Sequence, residues 1–257
     1  MIKSDLDLFR FPNLSSIDGV AHAISTRNGG VSGGRFATLN VSYTVGDEEA
    51  NVEENLRRLA HAMGTERSRL FAAYQVHGNQ VVVVDESTPP RPRCDVLITR
   101  SSDRVLMLRF ADCTPVLLAD RVRRVVGAVH AGWRGTAVRA VNAAVTAMQQ
   151  RFGSDPRDIV SGIGPAIGPC CYTVGPNVAE YFADRAWAVS RSNDGGTRLD
   201  LWEANRRALL EAGVPAEQVD VAGICTQCQA DRFFSHRANG GQPSGRFAAL
   251  VGLSAGC

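Results

Sequence analysis

Val105-Leu106-Met107-Leu108-Arg109-Phe110-Ala111-Asp112-Cys113-Thr114-Pro115-Val116-Leu117-Leu118-Ala119, followed almost at once by Val125-Val126-Gly127-Ala128-Val129-His130, is the stretch that decides the fold. Its apolar runs are short, rich in valine and leucine, and interrupted by Arg, Asp, Pro and Gly. That pattern predicts successive buried strands rather than a helix. Outward from it, 70–76, 80–85 and 95–99 read as strands on the N-terminal side, and 159–163, 219–224 and 247–251 on the C-terminal side. The runs 70–76 and 80–85 flank a turn at His77-Gly78-Asn79 and read as a hairpin or bulged pair. Helical periodicity covers 48–63, with Asp47 as cap, Gly64 as stop and Val52, Leu56, Leu59 and Met63 on one face. It also covers 136–152 before Gly153, 177–184, and 201–212 before Gly213. Strands cluster and helices come singly, which predicts a mixed α+β fold rather than regular βαβ units.

The 257 residues are within reach of one large domain. Apolar residues make up 44%, charged residues 21%, and the net charge is +2 with the signs well mixed. No basic stripe argues for nucleic acid or an anionic membrane surface. The first residues carry no signal-like apolar core, and no run approaches the ~18 apolar residues of a membrane span, so the chain reads as cytoplasmic. Seven cysteines are an odd number in a chain that needs no staples, and reduced thiols are expected. Lys3 is the only lysine. Schiff-base chemistry and a P-loop lysine are therefore excluded, and any anion must be held by arginine, backbone N–H groups or a metal.

Several motifs fail on context. Gly30-Val31-Ser32-Gly33-Gly34 matches a nucleophile elbow on paper, but 35–41 reads as loop then strand where a helix is required. Cys225-Thr226-Gln227-Cys228 has no second pair or nearby histidine to complete a zinc finger, so these are expected to be reduced thiols without structural metal. Cys170 and Cys171 are adjacent, and adjacent cysteines seldom bridge.

Three segments share one design, a strand-like run ending in a reactive side chain beside small or turn residues. They are Tyr74-Gln75-Val76-His77-Gly78, Phe110-Ala111-Asp112-Cys113-Thr114-Pro115 and Val129-His130-Ala131-Gly132-Trp133-Arg134-Gly135. Two imidazoles and one thiolate suit zinc, and three protein ligands leave a fourth position open, as catalytic zinc requires. Taken singly, each residue also has an ordinary reading: Cys113 a buried thiol, His77 a solvated turn histidine, His130 a satisfied core histidine. His22 and His61 keep such readings, while His236 sits in the unusual aromatic-basic cluster Phe233-Phe234-Ser235-His236-Arg237.

Gln75-Val76-His77-Gly78, Asp112 to Leu118, His130-Ala131-Gly132-Trp133-Arg134-Gly135-Thr136 and Gly162 to Tyr172 together resemble the laccase-domain family, first called polyphenol oxidase and later assigned as purine nucleoside phosphorylase. Ser25 to Ser32 and Arg232 to Arg237 extend the similarity over nearly the whole chain. The resemblance implies a single α+β domain over 1–257, with mixed β-sheet layers flanked by helices. It implies a metal site at His77, Cys113 and His130, holding zinc, with copper as the alternative ion. It implies phosphorolysis of adenosine, inosine and S-methyl-5'-thioadenosine, with adenosine deamination beside it, so that purine nucleosides and phosphate are the partners. Arg27, Arg134 and Arg237 are candidates for phosphate, since a guanidinium fork matches phosphate oxygens. Asn40 joins them as a candidate substrate contact, and Phe233, Phe234 or Tyr172 could stack on the base. Two positions depart from the family pattern: Thr44 and Thr173 stand where relatives often carry His and Glu.

Two other chemistries compete. A copper-dependent phenol oxidase needs a histidine-rich multicopper cluster, and this chain has five histidines in all. A Cys-His hydrolase or amidase acting on peptidoglycan precursors would use Cys113 as nucleophile and His130 or His77 as base, without metal.

Overall fold

The computed structural model describes residues 6–192 and 195–254. Its strands in chain order are β1 (Leu8–Phe9), β2 (Val20–Ser25), β3 (Leu70–Ala72), β4 (Val81–Val83), β5 (Val96–Thr99), β6 (Val105–Phe110), β7 (Thr114–Asp120), β8 (Val125–Ala131), β9 (Ile159–Ile163), β10 (Thr173–Val174), β11 (Val189–Arg191), β12 (Thr197–Leu199), β13 (Val219–Val221) and β14 (Phe247–Leu253). The helices are α1 (Pro12–Ser15), α2 (Glu49–Ala62), α3 (Trp133–Ala137), α4 (Ala140–Phe152), α5 (Pro176–Ala179) and α6 (Leu201–Glu211).

Two mixed sheets carry the fold. One runs β1-β2-β14-β6-β3, the other β13-β9-β7-β8-β5-β4, and a small third sheet is β10-β12-β11. Alternation along the strands stacks them in layers. In β6, Leu106, Leu108 and Phe110 face an inner core shared with Leu117 and Ala119 of β7 and Val126 and Ala128 of β8. Val105 and Met107 face the other way, onto Val52, Leu56 and Leu59 of α2. Val116 and Leu118 of β7 and Val125 and Val129 of β8 turn outward onto Val141, Val145 and Met148 of α4 and Leu209 of α6. The order is helix, sheet, sheet, helix, as period-2 strands with two apolar faces dictate.

Three local expectations are corrected. The predicted 70–85 hairpin does not exist: β3 pairs in parallel with β6 in one sheet, and β4 pairs in parallel with β5 in the other. His77 lies on a crossing between sheets, not at the tip of a ribbon. The helix expected at 136–152 is broken after α3 by Arg139, whose φ is 61°. Past Ala179, the segment expected to stay helical to 184 tightens into a 3-10 stretch, with Phe182 and Arg185 off helical geometry.

His22 is a satisfied core histidine. Its Nε2 accepts the Phe11 N–H at 2.8 Å, and burial, then the charge of Arg10, hold its pKa down at about 4. The folded state therefore excludes a proton that the unfolded chain binds. The resulting stability is complete above pH 6.5 and is lost as the pH falls from 6.5 toward 4. At about 1.4 kcal/mol per pH unit the loss is roughly 3 kcal/mol. Urea unfolding of His22→Gln, which keeps an acceptor but takes up no proton, is expected to be flatter than wild type over that interval. An identical pH profile for the two proteins would refute the assignment.

Candidate active site

All three predicted ligands meet at one end of the inner layer. The chain passes from one main sheet to the other between Ala72 and Val81, carrying His77, and again between Phe110 and Thr114, carrying Cys113. His130 lies near the end of β8, where Pro115 pairs with it across the ladder. Parity fixes the direction: His130 follows Val126 and Ala128 on the inner face, and Cys113 precedes Leu117 and Ala119 on the same face. One ligand atom from each of the three residues lies within 4.8 Å of the others. His130 is buried, Cys113 half-buried and His77 exposed, so the cluster is closed by protein on one side and open on the other.

The sequence reading missed the residue that holds the trio in place. Asp95, fully buried, accepts the backbone N–H groups of Val76 (3.2 Å), His77 (2.9 Å) and Gly78 (2.7 Å), and its Oδ1 lies 2.8 Å from His130 Nδ1. A carboxylate receiving three amides can only accept, so His130 Nδ1 carries the hydrogen and Nε2 is left for a metal. The same three amides curl the crossing so that His77 sits at φ 61°, a conformation that persists where neighbours over-determine it. A charged residue opening the otherwise apolar run Val96–Thr99 was the available signal. Gln75 anchors the crossing from the other side: its amide donates to the Arg109 carbonyl (2.8 Å) and accepts the Arg109 N–H (2.9 Å), as a peptide group would. Asp112, at φ 90°, accepts Thr226 Oγ1 and the Arg237 N–H, both at 2.7 Å. Gly132 is required by proximity, because a Cβ there would lie 2.7 Å from Cys113 Sγ.

Burial alone would raise the Cys113 thiol. The positive charge of His130 and hydrogen bonds from His130 and His77 outweigh it and hold the pKa at about 6. Burial would likewise lower His130, but Cys113 and Asp95 bring it up to about 9. The sulfur is therefore anionic at neutral pH, the form a metal binds.

Two cavities meet at the trio, both bounded by His77, Ala111, Cys113 and His236. The larger, about 440 Å³, is walled by Arg91, Arg109 and Arg246 with no carboxylate. The smaller, about 340 Å³, offers Trp133, Ile167, Tyr172 and Leu201, with Asp112, Arg134 and Arg237 at its polar side. Of the three arginines suggested for phosphate, Arg134 and Arg237 line the smaller cavity. Arg27 lies on neither wall: it donates to the Ala37 and Ala230 carbonyls and stacks on Phe234. Asn40 is buried away from both, tying Ser42, Asp47 and the Arg246 N–H together. Phe233 and Phe234 are core residues, so of the three aromatics suggested for stacking only Tyr172 lies on a cavity wall. Thr44, one of the two departures, lines the larger cavity. The carbonyl of Thr173, the other, accepts Arg237 Nη1.

Residues 21–254 match the family described as multi-copper polyphenol oxidoreductase laccase. The chain belongs to this family. A purine nucleoside phosphorylase of Deinococcus radiodurans is 40% identical over 256 residues, covering 98% of this chain and 95% of that protein. The purine nucleoside phosphorylase YlmD of Geobacillus stearothermophilus is 38% identical over 248 residues, covering 91% and 90%. The crystal structure of YlmD from Geobacillus stearothermophilus superposes with a TM-score of 0.91 at 35% identity, covering 98% of each chain. The laccase-domain resemblance read from the motifs, and the α+β fold with mixed sheet layers, are thereby borne out. No helix among the described residues is long and apolar enough to cross a membrane.

Proposed function

We infer that this chain, acting as one catalytic domain, is a zinc-dependent purine nucleoside phosphorylase for adenosine, inosine and S-methyl-5'-thioadenosine, with adenosine deamination as a side activity in the cytoplasm. One observation carries the reading: a His-Cys-His cluster stands between an apolar, aromatic cavity and a cavity walled by three arginines without an acid. The names of the relatives support the same reaction class.

Phosphorolysis breaks the glycosidic bond while a phosphate oxygen bonds to the anomeric carbon, and the departing base takes a proton. Tyr172, Trp133 and Ile167 give the base an apolar slot. Arg109 is half-buried and its pKa is brought down to about 10, by desolvation first and then by the charge of Arg91. Like charges crowded without a carboxylate favour an anion between them. Arg246 is held toward the same cavity by the Ser244 and Gly245 carbonyls. His236 lines both cavities. His77, Cys113 and His130 are the residues that would hold zinc, which supplies Lewis-acid polarisation and, for deamination, an activated water.

Purified protein is expected to release free base from inosine faster with phosphate than without, with ribose 1-phosphate as co-product, and to form some inosine from adenosine without phosphate. Arg246→Ala is expected to raise the phosphate KM roughly 10- to 100-fold, the worth of one charged hydrogen bond, with metal content unchanged. A larger rise in Arg134→Ala would move the phosphate to the smaller cavity.

A second reading has its own observation. The thiolate of Cys113 beside the His130 imidazolium is also the pair a cysteine nucleophile uses. Amide hydrolysis by metal-free protein, with no nucleoside turnover, would select the hydrolase. A multicopper oxidase lacks the ligands, since His22 lies in the core and His61 on the exposed face of α2.

A further inference from the structure

Cys170, Cys171, Cys225 and Cys228, which sequence spacing leaves as two unrelated pairs, converge. All four sulfurs lie within 4.8 Å of one another. Cys228 Sγ is 3.6 Å from Cys170 Sγ and 3.4 Å from Cys171 Sγ, across 58 and 57 residues of chain. We propose that these four cysteines form a second metal site, a closed tetrahedral four-thiolate site for zinc, separate from the His77, Cys113 and His130 cluster.

The spacing fits a single ion. A zinc–sulfur bond of about 2.3 Å in tetrahedral geometry sets sulfur–sulfur edges of roughly 3.8 Å. The observed contacts are close to that edge and far outside a disulfide bond of about 2.05 Å. An iron–sulfur cluster would spread the four sulfurs over separate irons and hold them farther apart. Four thiolates fill the shell, which is the pattern of a structural site rather than a catalytic one.

Backbone contacts bring the two pairs into register. Ala166 N–H donates to the Ile224 carbonyl (3.2 Å), and Thr226 N–H to the Ala166 carbonyl (3.0 Å). A turn places the adjacent pair, with Cys171 and Tyr172 N–H both donating to the Gly168 carbonyl at 2.9 Å. The Gly168 N–H donates to Cys225 Sγ at 3.3 Å, the kind of bond that metal-bound thiolates accept. Cys170 and Cys228 are exposed. Exposed thiols crowded against a half-buried and a buried one are prone to oxidation unless a metal holds them.

The site ties together the two segments that hold Asp112 from behind. Ile167 N–H donates to the Asp112 carbonyl (2.9 Å), Thr226 Oγ1 donates to its carboxylate (2.7 Å), and Tyr172 follows the pair onto the cavity wall. A metal here would fix that wall without touching substrate.

Zinc counted by mass spectrometry in the full chain after dialysis against zinc buffer tests this. Wild type is expected to hold two zinc ions per chain, Cys228→Ser one and Cys113→Ala one. Because Cys228→Ser could lose its fold, Cys113→Ala is also loaded with cobalt, and its spectrum should be that of a tetrahedral four-thiolate site. One zinc in wild type and none in Cys113→Ala would overturn the proposal. So would iron in place of zinc, or a disulfide among the four on peptide mapping of wild type. The test does not depend on nucleoside turnover, so it stands or falls apart from the reading of the active site.

Discussion

Cys113→Ala is expected to lose the active-site metal and, with it, turnover by a factor on the order of 10⁴ or more. The size follows from how few groups make the site. The protein offers three ligand atoms within 4.8 Å of one another, and Cys113 supplies the only negative charge among them. Removing it leaves two imidazoles and no anionic ligand, and His77 sits on an exposed crossing. Two such ligands do not hold zinc against its hydration shell. His77→Ala and His130→Ala are expected to fail to a similar extent. The double variant His77→Ala/Cys113→Ala should be scarcely worse than either single one, because residues that act as a unit are not additive. Metal content and steady-state turnover of the same preparations decide the matter. Full turnover by zinc-free Cys113→Ala would remove the metal from the mechanism. Turnover lost only in Cys113→Ala, with zinc-free wild type active, would make Cys113 a nucleophile instead.

What the sequence disclosed and what it hid have a common physical cause. The long strands 105–110, 125–131 and 247–253 were legible because both their faces are apolar, and nothing but a buried strand accounts for such runs. The convergence of His77, Cys113 and His130 was legible because each follows an apolar strand-like run in the sequence and sits beside small or turn residues. The false hairpin at 70–85 arose because a Gly-Asn turn between two apolar runs looks the same whether the runs pair with each other or with different sheets. Only the partners β6 and β5, distant in sequence, decide it. Arg27 misled for a related reason: a guanidinium satisfied by the Ala37 and Ala230 carbonyls cannot be told from a phosphate ligand until the carbonyls are in place. Arg109 and Arg246 were overlooked because each lies in or beside an apolar strand and reads as a tolerated charge. The four-cysteine cluster was invisible because its halves are brought together by Ala166 pairing with Cys225, a contact with no local signature.

Asp95→Ala is expected to cost about 3–5 kcal/mol of stability, the range for removing one member of a buried charged network, and to weaken zinc binding at the trio roughly 10- to 100-fold. The two effects have separate origins. Stability falls because the N–H groups of Val76, His77 and Gly78 lose their common acceptor, a fully buried carboxylate. Affinity falls because His130 loses the partner that fixes its tautomer, and His77 loses the curl that aims it at Cys113. Asp95→Asn separates them. Its carbonyl oxygen can still accept one or two of the amides, so stability should recover in part. It brings no negative charge to His130, so zinc affinity should stay low. Urea unfolding in the presence of chelator reads the first effect, and competition for zinc with a coloured chelator on folded protein reads the second. Equal zinc affinity in wild type and Asp95→Asn would show that the carboxylate only braces the loop. A loss of affinity in Asp95→Asn larger than its loss of stability would establish that one buried charge, absent from the metal itself, sets how tightly the site holds it.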